Sequence, residues 1–220
     1  MSPIGTRIDE LIAAGRWMAA RGCLPATSGN LSARVAGDQI VVTTSGGDKG
    51  DLRPDDFIAV DLNLGLNLGL NLGLDLGLDL GLDAAAPARR ASAETPLHLA
   101  LYRGRPDIGV VLHGHSIAST LVSQRLAGER RIVFRGYELQ KAFSGVTTHE
   151  ATVEVPIFEN TQDLAALAAM ISAGVPAAPC LLIAGHGFYA WGPAVADARR
   201  HVEALEFLLQ CELEKARMRP

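Results

Sequence analysis

Apolar positions along the chain follow two periods, and together they divide it into helices and short strands. Between residues 6 and 21, Ile8, Leu11, Ile12 and Met18 recur at helical spacing among Arg7, Glu10, Arg16 and Arg21, so a helix is expected there, stopped at Gly22. The turn-forming cluster Thr27-Ser28-Gly29-Asn30 leads into residues 31–35, and residues 40–43 and 57–60 read as further strands. Glycine turns between such short strands predict antiparallel pairing. Later, Pro96 opens a helix carrying Leu97, Ala100 and Leu101, and residues 110–112 form a buried strand. Ser116 is expected to cap a helix running to about residue 122. Residues 132–134 then read as a strand, 138–143 as a short helix and 151–157 as a strand. Asn160 or Thr161 is expected to cap a helix with Leu164, Leu167 and Ile171 on one face. Residues 180–184 and 188–191 are apolar strands, and a last helix over about 193–215 turns Val195, Val202, Leu205 and Leu209 inward.

Residues 61–83 break this pattern. They repeat Asn-Leu-Gly-Leu and then Asp-Leu-Gly-Leu, with leucine at every even position from Leu62 to Leu82. A period of 2 and five glycines disfavour a helix. The stretch is expected to be a low-complexity insertion in a surface loop of a single domain spanning residues 1–220. A leucine-faced hairpin would be an aggregation hazard. The repeat holds four aspartates and no lysine or arginine, so without it 24 − 4 = 20 acidic residues face 20 basic ones. The whole net charge of −4 therefore resides there.

Composition narrows the function classes. At 220 residues, 48% hydrophobic and 20% charged, the chain is long enough to bury a core without staples. No basic run or positive field points to nucleic acid. No apolar stretch reaches the length of a membrane helix, so no membrane partner is expected. Cys23, Cys180 and Cys211 are odd in number and widely spaced, which suits a reducing, cytoplasmic compartment.

The chemistry concentrates at strand ends. His113 and His115 flank Gly114, and side chains two apart on a strand share a face, so their imidazoles should converge. On the pair alone, a core histidine beside a strand-end histidine is an equally good reading. Gly185-His186-Gly187 repeats the arrangement after a second apolar strand. If the strands share a sheet, three neutral imidazoles meet with an open position, a donor set that fits Zn²⁺ and does not exclude other first-row ions. His98 and His201 fall inside predicted helices and His149 in a loop, where packing explains them. Ser28, Gly29 and Asn30, with Ser45, Gly46 and the nearby Lys49, have the hydroxyls, free N–H groups and charge of an anion-binding nest, although each loop alone reads as a plain turn. Glu94 and Glu138, both at predicted helix starts, are the candidate general acids or bases, and spacing does not rank them.

Taken in order, Ser28-Gly29-Asn30-Leu31-Ser32, Thr44-Ser45-Gly46 with Lys49, Ser92-Ala93-Glu94, His113-Gly114-His115 and Gly185-His186-Gly187 resemble the class II aldolase family over nearly the whole chain except the repeat. Tyr137-Glu138-Leu139-Gln140-Lys141, residues 155–161 and residues 186–192 are most similar to its sugar-phosphate dehydratases. The resemblance implies an α/β/α sandwich with a mainly antiparallel sheet, a homo-oligomer, usually a tetramer with sites at subunit interfaces, and a small sugar phosphate as substrate. It implies Zn²⁺ on His113, His115 and His186, and a phosphate pocket at Ser28, Gly29, Asn30, Ser45, Gly46 and Ser92. The aldolases place their acid/base glutamate at a position like Glu94. The dehydratases place theirs at one like Glu138, and some carry cysteine in place of Glu94, so Glu138 is the expected proton carrier. An aldolase or epimerase relying on Glu94 is the alternative. A non-catalytic domain on the same fold is disfavoured by the presence of all three histidines and both glutamates.

Overall fold

The strand that carries the two histidines, β4 (Val110–Gly114), is buried at every position. Complete burial requires layers on both faces, and the computed structural model, which describes residues 3–63 and 90–218, supplies them. β4 pairs antiparallel with β1 (Asn30–Ala36) on one side and β8 (Gly187–Gly192) on the other. Beyond β1 lie β2 (Gln39–Thr43) and β3 (Phe57–Asp61). Beyond β8 lie β7 (Cys180–Ile183), β6 (Val153–Phe158) and β5 (Arg131–Phe134). The order is β3-β2-β1-β4-β8-β7-β6-β5, and β6 with β7 is the one parallel pairing among the described residues. Parallel neighbours need a crossover, and α4 (Leu164–Ala173) provides it.

Strand alternation sends successive side chains to opposite cores. Leu31, Leu112 and Phe188 pack with Leu11, Met18, Val122 and Leu205 from α1 (Pro3–Ala20), α3 (Ile117–Arg125) and α5 (Val195–Arg217). Val111, Tyr189 and Trp191 pack on the other face with Leu97 and Leu101 from α2 (Thr95–Gly104) and Ile171 from α4. This is the expected three-layer α/β/α sandwich with a mainly antiparallel sheet.

Local differences from the sequence expectation have identifiable causes. The helix expected to be capped by Asn160 or Thr161 is capped instead by Asp163 and starts at Leu164, because the Thr161 hydroxyl accepts the Asp163 N–H and the Asp163 carboxylate accepts Ala166 N–H at 2.9 Å. The short helix at 138–143 is a 3₁₀ turn, Glu138–Ala142. Ser116 caps α3 as expected, its Oγ accepting Ser119 N–H at 2.9 Å, but that helix continues to Arg125.

Residues 64–83 of the leucine-glycine repeat lie outside the described residues. The described flanks are firmly seated: Leu62 is buried in the α2–α4 core and donates its N–H to Asp38 O, while Ser45 N–H bonds Arg90 O. Asp61 pairs with Gln39 and Ala91 bridges Thr44, so the connection runs between opposite ends of β2. That gap is roughly 15 Å, the rise of four to five strand residues. Deleting residues 63–82 leaves seven residues between Leu62 and Arg90, which reach about 26 Å when extended. The deletion protein should therefore fold with a melting temperature and turnover close to those of the full chain, measured by calorimetry and steady-state assay. A folded but inactive deletion would show that the repeat serves the site.

Candidate active site

Strands β1, β4 and β8, the turns at their ends and the start of α2 bring the chemistry together on the α2 side of the sheet. In the β1–β4–β8 register, Asn30 lies opposite His113, which lies opposite Tyr189, so the three share a face. His115 follows the end of β4, and its N–H is held by Cys23 O at 2.7 Å. His186 sits in the tight β7–β8 turn, where Gly185 has φ +65°. Gly187 is required by space, since a Cβ there would meet Gly114 O at 2.2 Å and the His115 ring at 2.9 Å. Gly29 is required by conformation and by space: φ is +80°, and a Cβ would lie 2.7 Å from His113 O. Glu94 stands at the N-cap of α2.

The result is a compact donor cluster of Glu94, His113, His115 and His186, with one ligand atom from each lying within 4.8 Å of the others. The His115 and His113 Nε2 atoms are 2.8 Å apart, and those of His186 and His115 are 3.0 Å apart. Glu94 lies 3.2 Å from His113 Nε2 through one oxygen and 3.1 Å from His186 Nε2 through the other. Tetrahedral ligands about 2.05 Å from an ion are spaced by roughly 3.3 Å, so the cluster has the dimensions of such a site. Tautomer chemistry agrees. His113 Nδ1 lies 2.8 Å from Phe188 O, a pure acceptor, so Nδ1 carries the proton and Nε2 turns its lone pair to the cluster. Burial, with repulsion from His113 and His186, lowers the His115 pKa to about 4 and keeps that ring neutral. Burial alone would raise the Glu94 carboxyl, but its hydrogen bonds and charge interactions with His113 and His186 hold it well below the usual carboxylate range. Three imidazoles and one carboxylate are a donor set suited to a divalent ion.

The remaining expected residues are placed less uniformly. Asn30 is buried, and its amide donates to Glu94 at 2.6 Å and to Ser92 Oγ at 3.0 Å. The buried Ser28 Oγ has no partner among the described residues, an orphan polar atom that a bound ligand would satisfy. Ser45 and Gly46 are exposed on the neighbouring loop. The Lys49 ammonium is bonded to Thr27 O and Gly47 O and ties the two loops together. Glu138 is not brought to the cluster within this chain: its side chain is 73% exposed and pairs with Lys141 and His149.

Sequence reasoning missed several groups around the site. Glu94, His98 and Tyr102 are spaced i, i+4, i+8 on α2, and Asn30 and Ser32 are spaced i, i+2 on β1; those periods could have found a shared polar seam. Tyr189 stacks on His113 with ring centroids 4.1 Å apart. Glu206 of α5, for which no motif gives a signal, accepts from Ser116 Oγ at 2.8 Å directly after His115.

The chain belongs to the class II aldolase family: the model of the class II aldolase and adducin N-terminal domain matches residues 9–213. It is 46% identical over 208 residues to a methylthioribulose-1-phosphate dehydratase of Pseudomonas syringae pv. syringae, covering 93% of each chain. It is 43% identical over 217 residues to the protein of that name from Marinobacter nauticus, covering 97% of this chain and 96% of the other. Among solved structures it resembles L-fuculose-1-phosphate aldolase from Thermus thermophilus, with a TM-score of 0.70 at 23% identity over 96% of each chain. It also resembles a sugar-phosphate aldolase from Thermotoga maritima, with a TM-score of 0.70 at 15% identity over 98% of this chain and 97% of the other. These two likenesses establish the fold alone.

Two measurements check this centre. Added Zn²⁺ should raise the melting temperature of chelator-treated protein, and His113→Ala should abolish that rise; an unchanged rise would remove His113 from the ligand set. The second concerns Glu206, whose pKa burial raises from an ordinary 4.5 to about 7. The folded state then holds the proton more tightly than the unfolded one, so stability falls as pH climbs from about 4.5 through 7. Glu206→Gln should match the parent near pH 5 and exceed it at pH 8 by up to about 3 kcal/mol, as read by denaturant titration at the two pH values.

Proposed function

We propose that the chain catalyses dehydration of 5-methylthioribulose 1-phosphate to 2,3-diketo-5-methylthiopentyl 1-phosphate, a hydro-lyase step of methionine salvage. The observation that carries this reading is the 46% identity to a relative of that name along 93% of both chains, with the donor cluster intact. The metal would be Zn²⁺, one per subunit, held by His113, His115 and His186, with Glu94 beside them. Bound there, it supplies positive charge beside the C2 carbonyl and so favours loss of the C3 proton. Water leaves as that proton and the C4 hydroxyl, and the resulting enol tautomerises to the diketone.

The chain's own residues bind and orient the substrate and move its protons. Ser28, Gly29, Ser45, Gly46 and Ser92 form the phosphate pocket, with Lys49 holding the two loops at their spacing. Glu138 is the main proton carrier and acts from a neighbouring subunit of a homotetramer; its exposure in the single chain supports that placement. The enzyme works in the cytoplasm. The three free cysteines fit that compartment, and no helix among the described residues is long and apolar enough to cross a membrane.

One observation favours a second reading. Glu94 is the carboxylate that reaches the histidines within the chain, as an aldolase or epimerase would require. Incubating the zinc-loaded protein with methylthioribulose 1-phosphate separates the two, because dehydration yields the diketone whereas retro-aldol cleavage yields two fragments. In the same assay Glu138→Gln should retain its zinc and lose at least about a hundredfold in turnover. Wild-type turnover in that variant would rule Glu138 out.

A further inference from the structure

Behind Glu94 runs a buried hydrogen-bonded chain of which the resemblance assigns only Asn30, to the phosphate pocket. Asn30 donates from Nδ2 to Glu94. Its Oδ1 faces Nε2 of His98, and His98 Nδ1 lies 2.7 Å from Ser32 Oγ. Ser32 Oγ is in turn 2.9 Å from the Tyr102 hydroxyl. His98 and Ser32 are fully buried, and Asn30 and Tyr102 nearly so.

The direction of every bond follows from one fact, that an ionised carboxylate only accepts. Asn30 must therefore turn its NH₂ to Glu94 and its carbonyl oxygen to His98. His98 must carry its proton on Nε2, leaving Nδ1 as the acceptor for the Ser32 hydroxyl. Ser32 Oγ then accepts from Tyr102. Burial holds His98 neutral, its pKa lowered to about 3, as this single-tautomer arrangement needs. An amide in the middle cannot pass protons along, so the chain orients groups and does not relay.

We propose that Asn30, His98 and Ser32 are positioning residues that hold the Glu94 carboxylate at the donor cluster, and that Asn30 serves Glu94 rather than the substrate phosphate. This rests on Glu94 working at the site as proposed above. Glu94 sets the direction of the chain, and Ser32 braces its far end. Without the Ser32 hydroxyl, Nδ1 of His98 loses its donor, and the ring that fixes the Asn30 amide is held at one nitrogen only.

The test uses the full-length zinc-loaded enzyme for kinetics and the metal-free protein for NMR. The buried His98 Nε2 proton should give a slowly exchanging downfield resonance, assigned by its loss in His98→Gln. Asn30→Asp keeps the shape but removes the donor. It should lower kcat about a hundredfold with KM within about threefold of the parent. Ser32→Ala, remote from substrate, should lower kcat at least about tenfold, with KM unchanged and the resonance shifted or lost; Ser32→Thr should recover both. A raised KM with intact kcat in Asn30→Asp would make Asn30 a phosphate ligand and overturn the inference. So would wild-type kcat in Ser32→Ala, or a loss of kcat there with the resonance unmoved. Glu94→Gln is run alongside. Undiminished turnover in that variant removes Glu94 from the proposed reaction, while the resonance still decides whether the chain sets the His98 tautomer.

Discussion

Three imidazole lone pairs and a carboxylate, with neighbouring donor atoms 2.8–3.2 Å apart, repel one another unless a proton or a metal cation lies between them. Holding them together without collapse is the constraint on which the rest of the structure depends. Each donor is delivered by a separate rigid element: His113 by the central strand, His115 by the turn tied to Cys23 O, His186 by the β7–β8 turn and Glu94 by the start of α2. A mobile loop would relieve the repulsion by swinging away. The glycines at 29 and 187 serve the same end, because they let backbone pass close to β4 and pin the histidines from both sides.

The same demand explains the unusual polarity of the α2 side of the sheet. Most strand positions there are apolar, as Val111, Leu181 and Trp191 illustrate. Beside the cluster, however, Asn30, Ser32, His98 and Tyr102 are buried polar groups, and each would destabilise the core if left unpaired. They pair with one another in a single consistent direction. A fully satisfied network rigidifies its surroundings, and a half-satisfied one is worse than an apolar core, so the four residues stand or fall together. The seam joins the edge of the site to the middle of the sheet.

Much of this was legible in the chain. Periodicity located the strands and helices, and the two His-Gly motifs at strand ends marked three of the four cluster members, because strand alternation and glycine turns act locally. The fourth, Glu94, was one of two carboxylates that spacing does not rank, and the resemblance favoured Glu138 as the proton carrier. The contact of Glu94 with His113 depends on the Thr44–Ala91 bridge, which returns residues 90–92 to the end of β2. No local pattern encodes that return. His98 was read as ordinary helix packing because its partners are 66 and 68 positions away. Glu206 escaped notice for the same reason, being 90 residues from Ser116. The helix expected at 160 or 161 was displaced by competition among nearby capping groups, which spacing alone does not resolve.

The two glutamates occupy opposite environments, and dehydration has use for both. The reaction removes a proton at one carbon and must protonate a hydroxyl leaving the next. Glu94 is partly buried and held by two imidazoles and an amide, so it is a weak base with a fixed position. Glu138 is exposed, its pKa lowered chiefly by the Lys141 ammonium, and remains accessible to another surface. Both carboxyls are shifted downward, Glu94 by the imidazoles and Glu138 by the ammonium, so position rather than acidity distinguishes them. The proposed dehydration would draw on that difference in position, with one carboxylate pinned at the histidines and the other exposed on the 3₁₀ turn.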